Sequence, residues 1–393
     1  MTTKLDTAWM QTHALAAGFD ACGIVRAEKF PELARTEEWL AKGYAGEMKY
    51  LSDPRRTDPQ SAMPQIRSVI VCALNYNTAF PKSVDTRDAV NAAEARGWIS
   101  RYAWGSDYHD VLREKLEQLC AALRGACDES FEARIYADTG PIQERVFAKY
   151  AGVGWLGKNT LLLNQKLGSL FFLGVILTTL ELEPTLANAE AAPPDLCGSC
   201  RKCLDACPTN AFPEPYVLNA SRCIAYLTIE LRGSIPEDFR EAMGNHVFGC
   251  DICQDVCPWN RRAPQTASPE FQPRSFPPVK IDDTESQTAL PRAPKLNDDA
   301  GNTEGAIDSL LHPRLEWLAS MDESEYQRVF RGSPVKRAKW RGMVRNACIA
   351  LGNSRPAPGT LSDRRIRELL ERLSASTDPV IAESAHWALS RIQ

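Results

Sequence analysis

The sequence predicts an α+β chain of several domains, and three observations predict it. Helix and strand patterns alternate over the first ~190 residues. Eight of thirteen cysteines crowd between Cys197 and Cys257, and the tail from about Leu310 reads as helical. At 393 residues the chain exceeds one ordinary core. The expected division is an α/β domain at 1–190, a cysteine-rich domain at 191–260, a proline-rich connection at 261–309 and a helical domain at 310–393.

Each part has its own pattern. Ala21–Arg26 and Ser68–Leu74 are short apolar runs of the kind that form buried strands. Tyr108, Val111, Leu112, Leu116, Leu119 and Leu123 recur at three- and four-residue steps, which makes one helix face. Phe131–Tyr136 alternates as a half-buried strand. Asp138-Thr-Gly-Pro141 then reads as a helix start, with Pro141 at the first helical position. The most apolar stretch, Ser169–Leu180, is shorter than the ~20 residues of a membrane span and reads as a buried strand. Near the C-terminus, Arg345–Leu351 and Glu383–Leu389 share their Ala/Ala/Leu placement 38 residues apart. That spacing suits a HEAT-like helical repeat, and two plain amphipathic helices are the simpler alternative.

Hydrophobic content of 44% and charged content of 24% are globular values. A net charge of −4 excludes a wholly basic surface, so any nucleic-acid face must be a local patch. Residues 1–15 lack the apolar core of a secretory leader. The expected location is therefore cytoplasmic, with no membrane. In that reducing compartment clustered cysteines mean metal more often than disulfide.

The cysteines follow a metal-binding grammar. Cys197-x2-Cys200-x2-Cys203-x3-Cys207-Pro208 is the run found in bacterial two-cluster ferredoxins, followed by Cys223 and by Cys250-x2-Cys253-x3-Cys257-Pro258. Three thiolates at three-residue steps wrap one cubane. The fourth, turned away by its proline, serves the other. The expected pairing crosses over, with Cys197, Cys200, Cys203 and Cys257 on one [4Fe–4S] cluster and Cys207, Cys223, Cys250 and Cys253 on the second. Two zinc sites are the competing reading, but zinc sites present pairs rather than a triple with a Cys-Pro. Cys22, Cys72, Cys120, Cys127 and Cys348 lie in apolar patterns and are expected in cores.

Two clusters move single electrons, and a bare carrier needs neither an α/β domain nor a helical tail. Further motifs accompany them. They are Ile99-Ser-Arg101-Tyr102-Ala-Trp-Gly105-x-Asp107-Tyr108-His109, Tyr136-Ala-Asp138-Thr-Gly-Pro141-Ile-Gln-Glu144-Arg145 and Gly152-Val-Gly-Trp155-Leu-Gly157-Lys158-Asn159. Cys223-Ile-x-Tyr-Leu-Thr228-Ile-Glu230 and Met243-Gly-Asn245-x-x-x-Gly249-Cys250-Asp follow in order. With these the chain resembles the epoxyqueuosine reductase family over most of its length. The resemblance implies a nitroreductase-like cobalamin-binding domain, a ferredoxin-like two-cluster domain and the HEAT-like tail. It implies an enzyme that deoxygenates epoxyqueuosine at the wobble position of tRNA, the last step of queuosine synthesis. An external low-potential donor of flavodoxin or ferredoxin type and a monomeric state are expected with it. A corrinoid reductive dehalogenase and a ferredoxin-type carrier are the alternatives.

Opening and deoxygenating an epoxide takes two electrons, a nucleophile and a proton for the leaving oxygen. By resemblance the nucleophile is reduced cobalamin and the acid is Asp138. A carboxyl of pKa about 3.9 is a poor donor at neutral pH, so burial against the corrin and substrate should raise that value. Read alone, Asp138 is as good a helix cap. The resemblance also implies that Arg56, Arg101, Lys158, Asn159, Leu162, Leu173, Gly249 and Cys250 line the cobalamin site beside Asp138. Asp107-x-His109 has part of a base-off cobalamin motif, but Leu112 stands where that motif needs glycine, so His109 reads as a helix or core histidine. Arg331, Lys336, Arg337, Lys339, Arg341 and Arg345 form a local basic run around Trp340. Lys336, Arg337 and Lys339, with Arg232, are the candidates for RNA phosphate contacts; a solvated helix face is the bland reading.

Overall fold

The computed structural model describes residues 5–85, 94–276 and 308–392. Most of the expected proline-rich connection, 277–307, lies outside the described residues. The chain forms two compact units, each assembled from three stretches. The first comprises Met1–Val84, Asp107–Leu231 and Asp251–Thr266; the second comprises Asp85–Ser106, Arg232–Cys250 and Ala267–Gln393. Compact units and linear segments therefore do not coincide. Seven of the eight cysteines of the 197–257 segment fall in the first unit, and Cys250 ends a stretch of the second.

The first unit is built on a four-stranded antiparallel sheet. Its strands are β1 (Ala21–Arg26), β2 (Ser68–Asn75), β3 (Ala133–Tyr136) and β6 (Phe171–Thr178), in the spatial order β1-β2-β6-β3. Between β3 and β6 a two-residue pair, β4 (Trp155–Leu156) and β5 (Leu162–Leu163), forms a separate ribbon. Every residue of β2 is buried, as a continuous Val/Ile/Leu run requires when both sheet faces are covered. On one face α3 (Tyr108–Ala126) crosses β6 closely: a Cβ on Gly174 would stand 2.8 Å from Leu116 Cδ1. On the other, α4 (Glu144–Tyr150) packs Val146, Phe147 and Tyr150 against Val69, Val71, Val175 and Leu177. That face also takes Leu33 of α2 (Pro31–Ala41), while α1 (Thr7–Ala16) lies against β1. Cys22, Cys72, Cys120 and Cys348 are buried as expected, and Cys127 is half-buried.

One expectation is corrected here. No helix begins at Pro141: α4 starts at Glu144 behind Gln143, which makes no side-chain cap. Asp138 has φ +61, the left-handed region that Asp tolerates better than most residues, so it is no helix cap either.

The second unit is mainly helical. Its helices α5 (Lys339–Ser354), α6 (Leu361–Ser374) and α7 (Pro379–Arg391) pack on one another. A Cβ on Gly352 of α5 would meet Ala388 Cα of α7 at 2.8 Å. Contact that close is open only to a residue without a side chain. Asn346 Nδ2 donates to Val247 O at 2.8 Å, tying α5 to the parallel pair Trp98–Ile99 and His246–Phe248. Among the described residues no helix is long and apolar enough to cross a membrane.

Candidate functional site

Two side-chain groups in the first unit carry chemistry. The first gathers where α3 begins and β3 ends. Asp107 caps α3, accepting from the His109 backbone N–H at 3.1 Å, and its Oδ1 lies 2.6 Å from His109 Nδ1. The Tyr108 ring stacks on Phe172 of β6, 4.4 Å between centroids and 5° from parallel. Tyr108 Oη donates to Asp138 Oδ2 at 2.8 Å, and His109 Nε2 stands 3.7 Å from the same oxygen. His109 is therefore no core histidine; it links two carboxylates.

The electrostatics follow from that arrangement. Burial opposes charge on His109, but hydrogen bonds to Asp107 and Asp138 outweigh it and hold the imidazole pKa up to about 9. Desolvation by the surrounding protein works to raise the Asp138 pKa. The His109 and Tyr108 hydrogen bonds overcome it, and the net shift is downward. The protein's own groups thus do not raise it; the expected rise depends on burial against corrin and substrate. Solvent still reaches 68% of the Asp138 side chain, so the carboxylate is surrounded by protein groups but open to water. Glu144 carries the upward shift instead. Burial, with Asp138's charge nearby, lifts it to about 7, and its Oε1 is buried without a hydrogen-bond partner.

The second group is the thiols. Cys203 sits in a short helix, Lys202–Asp205, followed by Cys207-Pro208; Cys253 sits in its counterpart, Ile252–Asp255, followed by Cys257-Pro258. Burial first, then the charges of Cys257, Cys197 and Cys200, pushes Cys203 up to about 11. Cys257 is raised by burial and by Cys197 and Cys200. Burial lifts Cys253 well above the usual thiol value, with Cys223, Cys203 and Cys207 adding to it. Burial also lifts Cys197, while the Lys158 backbone N–H and the Trp155 indole pull the other way. Cys257 and Cys197 thus keep company with Cys200 and Cys203, while Cys253 neighbours Cys223, Cys203 and Cys207, so Cys203 borders both groups. Among the described residues no three Cys, His, Asp or Glu converge as tightly as a single metal ion needs. A cubane, whose irons stand apart, asks for a wider ring.

The other sequence candidates are distributed as follows. Lys158 Nζ donates to Cys200 O at 3.0 Å and to Gly198 O, so its ammonium braces the cysteine loop. Asn159 and Leu162 are buried at 4% exposure; Asn159 Oδ1 accepts from Leu161 N and Leu162 joins the sheet core. Leu173 is half-buried on β6. Arg56 lies half-buried over the Tyr50 ring, with Nε donating to Tyr50 O at 3.2 Å. In the second unit, Arg101 is buried with its guanidinium 4.7 Å from the Trp104 ring centroid. Gly249 has φ +71, and a Cβ there would stand 2.5 Å from Ser100 Cβ. Both demands favour glycine.

Of the basic run, Lys336, Arg337 and Lys339 are exposed, as is Arg232, which donates to Ala338 O at 3.2 Å. Arg341 pairs with Asp378. Arg345 is fully buried and donates to Gly233 O at 2.6 Å, a structural role rather than a surface charge. One helical face cannot run through all six. Pro334–Ala338 is a 3-10 turn, and Lys339 has φ +64, so the helical phase restarts at α5.

Residues 196–260 match the family described as a 4Fe-4S double cluster binding domain. Fold and thiols therefore define an α+β iron–sulfur protein. Residues 56–139 match the family described as "Epoxyqueuosine reductase QueG, DUF1730". An epoxyqueuosine reductase of Gloeobacter violaceus is 40% identical, over 88% of this chain and 96% of its own length. One of Pseudomonas aeruginosa is 37% identical, over 95% and 91%. A crystal structure of epoxyqueuosine reductase with an epoxyqueuosine-modified tRNA-Tyr stem loop superposes with TM-score 0.77 at 29% identity, covering 98% of this chain and 89% of that one. The Bacillus subtilis enzyme, with its catalytic aspartate loop swung out of the active site, gives 0.75 at 28% identity over 98% and 90%. The chain belongs to the epoxyqueuosine reductase family.

Proposed function

We propose that this chain reduces epoxyqueuosine in tRNA to queuosine, using two [4Fe–4S] clusters and cobalamin. The observation that carries the reading is the convergence of Tyr108 and His109 on Asp138 Oδ2 in a chain of this family. The reaction consumes two electrons and two protons and releases the epoxide oxygen as water.

The cluster ligands are Cys197, Cys200, Cys203 and Cys257 for one, and Cys207, Cys223, Cys250 and Cys253 for the other. The closeness of Cys257 to Cys197 and Cys200, and of Cys253 to Cys223 and Cys207, supports that crossing, although Cys203 also lies near Cys253. Cys250 follows the sequence pattern alone. Cobalamin, when bound, supplies a strong nucleophile at low potential. The solvent-accessible Asp138 carboxylate and the unpartnered Glu144 Oε1 near it leave polar groups that a large polar ligand could meet. Its proposed contacts are those the family resemblance implies: Arg56, Arg101, Lys158, Asn159, Leu162, Leu173, Gly249 and Cys250. The buried Asn159 and Leu162 would act through the turn they stiffen. The nitroreductase-like and HEAT-like descriptions of the two units, and the 1–190, 191–260 and 310–393 division, belong to the same reading.

The chain's own residues handle the proton. At neutral pH Asp138 rests as the carboxylate and His109 holds its proton. The proton moves from His109 Nε2 to Asp138 Oδ2 and on to the leaving oxygen, with Tyr108 Oη fixing the carboxylate. A substrate that excludes water would raise the Asp138 pKa and favour the transfer. Asp138→Asn should keep iron and corrin but lose turnover ~10²–10⁴-fold in an anaerobic single-turnover assay on a modified stem loop. Retained turnover removes Asp138 from the chemistry. Wild-type turnover should fall as pH rises through about 9, where His109 loses its proton.

The tRNA should bind through Arg232, Lys336, Arg337 and Lys339. Neutralising the last three together should weaken binding and flatten its dependence on salt, each lost phosphate contact lowering the log–log slope by ~0.7–0.9. An unchanged slope refutes the patch.

A further inference from the structure

Trp155 is one of two tryptophans beside the first thiol set. It occupies β4, whose position is fixed by the backbone: a Cβ on Gly154 would stand 2.0 Å from Leu163 O in β5. The ring is 2% exposed and packs with Leu163 and Cys257, and with Leu196 and Cys197. Trp259, two residues beyond Cys257, meets it edge-on, 5.0 Å between centroids at 74°. The two indoles wall off one side of the thiols.

The Trp155 Nε1–H is buried and makes no hydrogen bond of normal geometry, although it faces the Cys197 thiol closely enough to draw that thiol's pKa down. A buried indole N–H normally finds an acceptor, and leaving one unmade costs ~1–3 kcal/mol. Cys197 and Cys257 are the sulfur-bearing residues packed against the ring, and Cys197 is the one its side chain acts on. Sulfur is therefore the acceptor this donor is placed to find.

We infer that Trp155 donates its indole N–H to the sulfur of the cluster held by Cys197, Cys200, Cys203 and Cys257, and that this bond raises that cluster's reduction potential. The inference rests on the proposed ligand set. Reduction adds an electron to the cluster and its thiolates, so the sulfurs become more negative. A fixed N–H dipole stabilises the reduced form more than the oxidised one. The dry indole wall acts in the opposite direction, because low polarity disfavours the more highly charged state. Loss of the N–H and admission of water thus shift the potential with opposite signs.

The test is an EPR-monitored redox titration of anaerobic holoprotein, with iron and sulfide measured on the same samples. Trp155→Phe should keep its iron and move one of two potentials to a more negative value, leaving the other in place. Trp259→Phe opens the same wall but keeps the Trp155 donor, so it should leave that potential unchanged or move it upward. An unchanged or more positive potential in Trp155→Phe overturns the inference, as does an equal downward shift in Trp259→Phe. Should Trp155→Phe fail to load, wild-type protein labelled with 15N-indole tryptophan decides. Pulsed EPR of the reduced protein should then detect 15N coupled to a cluster, and no coupling overturns the inference. Wild-type protein with no acid-labile sulfide would defeat the cluster reading itself, a result distinct from either.

Discussion

The two Cys-x3-Cys-Pro turns have nearly the same backbone and opposite surroundings. Arg201 and Asp251 precede them with φ/ψ of −125/7 and −106/0, and Ala206 and Val256 end them at −81/−10 and −81/−9. Cys207 N donates to Leu204 O and Cys257 N to Gln254 O; Asn210 N and Asn260 N each reach back to the preceding Cys-Pro cysteine. Outside the backbone the match stops. Asp205 is 63% exposed, with Arg201 at 3.4 Å. Its counterpart Asp255 is buried and accepts from Ser83 N at 2.8 Å and Ser83 Oγ at 2.5 Å. Asn210 is exposed, whereas buried Asn260 accepts from Ser169 N at 2.7 Å and donates to Gln254 O at 2.8 Å. Cysteine spacing dictates the turn, and the rest of the fold decides whether it faces water.

The largest test of that comparison replaces thiols. If the turns exchange ligands, Cys203→Ser and Cys257→Ser should abolish the same EPR signal, although they lie on different turns. Cys203→Ser and Cys207→Ser, neighbours on one turn, should abolish different ones. Each variant should lose about half its iron. Common loss of one signal by Cys203→Ser and Cys207→Ser would mean that each turn holds its own cluster, and the crossing would fall.

The same contrast explains what the sequence makes legible. Thiol turns are local: their ligands sit a few residues apart, so spacing alone carries the chemistry. The buried strands and α3 were equally readable, because burial on two faces or one leaves a periodic trace. The Asp138 site leaves none. Tyr108 and His109 meet Asp138 only because α3 packs on β6 while β3 pairs with it. That is a long-range event, and it makes a histidine whose pattern reads as helix or core into a bridge between carboxylates. Glu144 and Trp155 stand in the family motifs, but nothing in their spacing shows their role, for a related reason. Their interest lies in a missing partner, which only three-dimensional packing reveals. An Asp-x-His at a helix start, taken with an Asp just past a strand, is the signal that could have raised His109.

The smallest effect expected is the difference between the two aspartates. Asp255→Ala removes a buried acceptor and leaves the Ser83 N–H and hydroxyl without it, so it should cost ~1–3 kcal/mol. Asp205→Ala removes an exposed charge at 3.4 Å from its partner and should stay within ~0.5 kcal/mol of wild type. Urea unfolding of the anaerobic holoprotein, with fully loaded clusters in all three samples, measures both. The iron must be matched because cluster loss would by itself lower the midpoint and hide the contrast. Equal midpoints for the two variants would show that the hydrogen bonds around the embedded turn add nothing to stability. The turn would then be held by its thiolates alone, and its burial would be a consequence of cluster binding rather than a support for it.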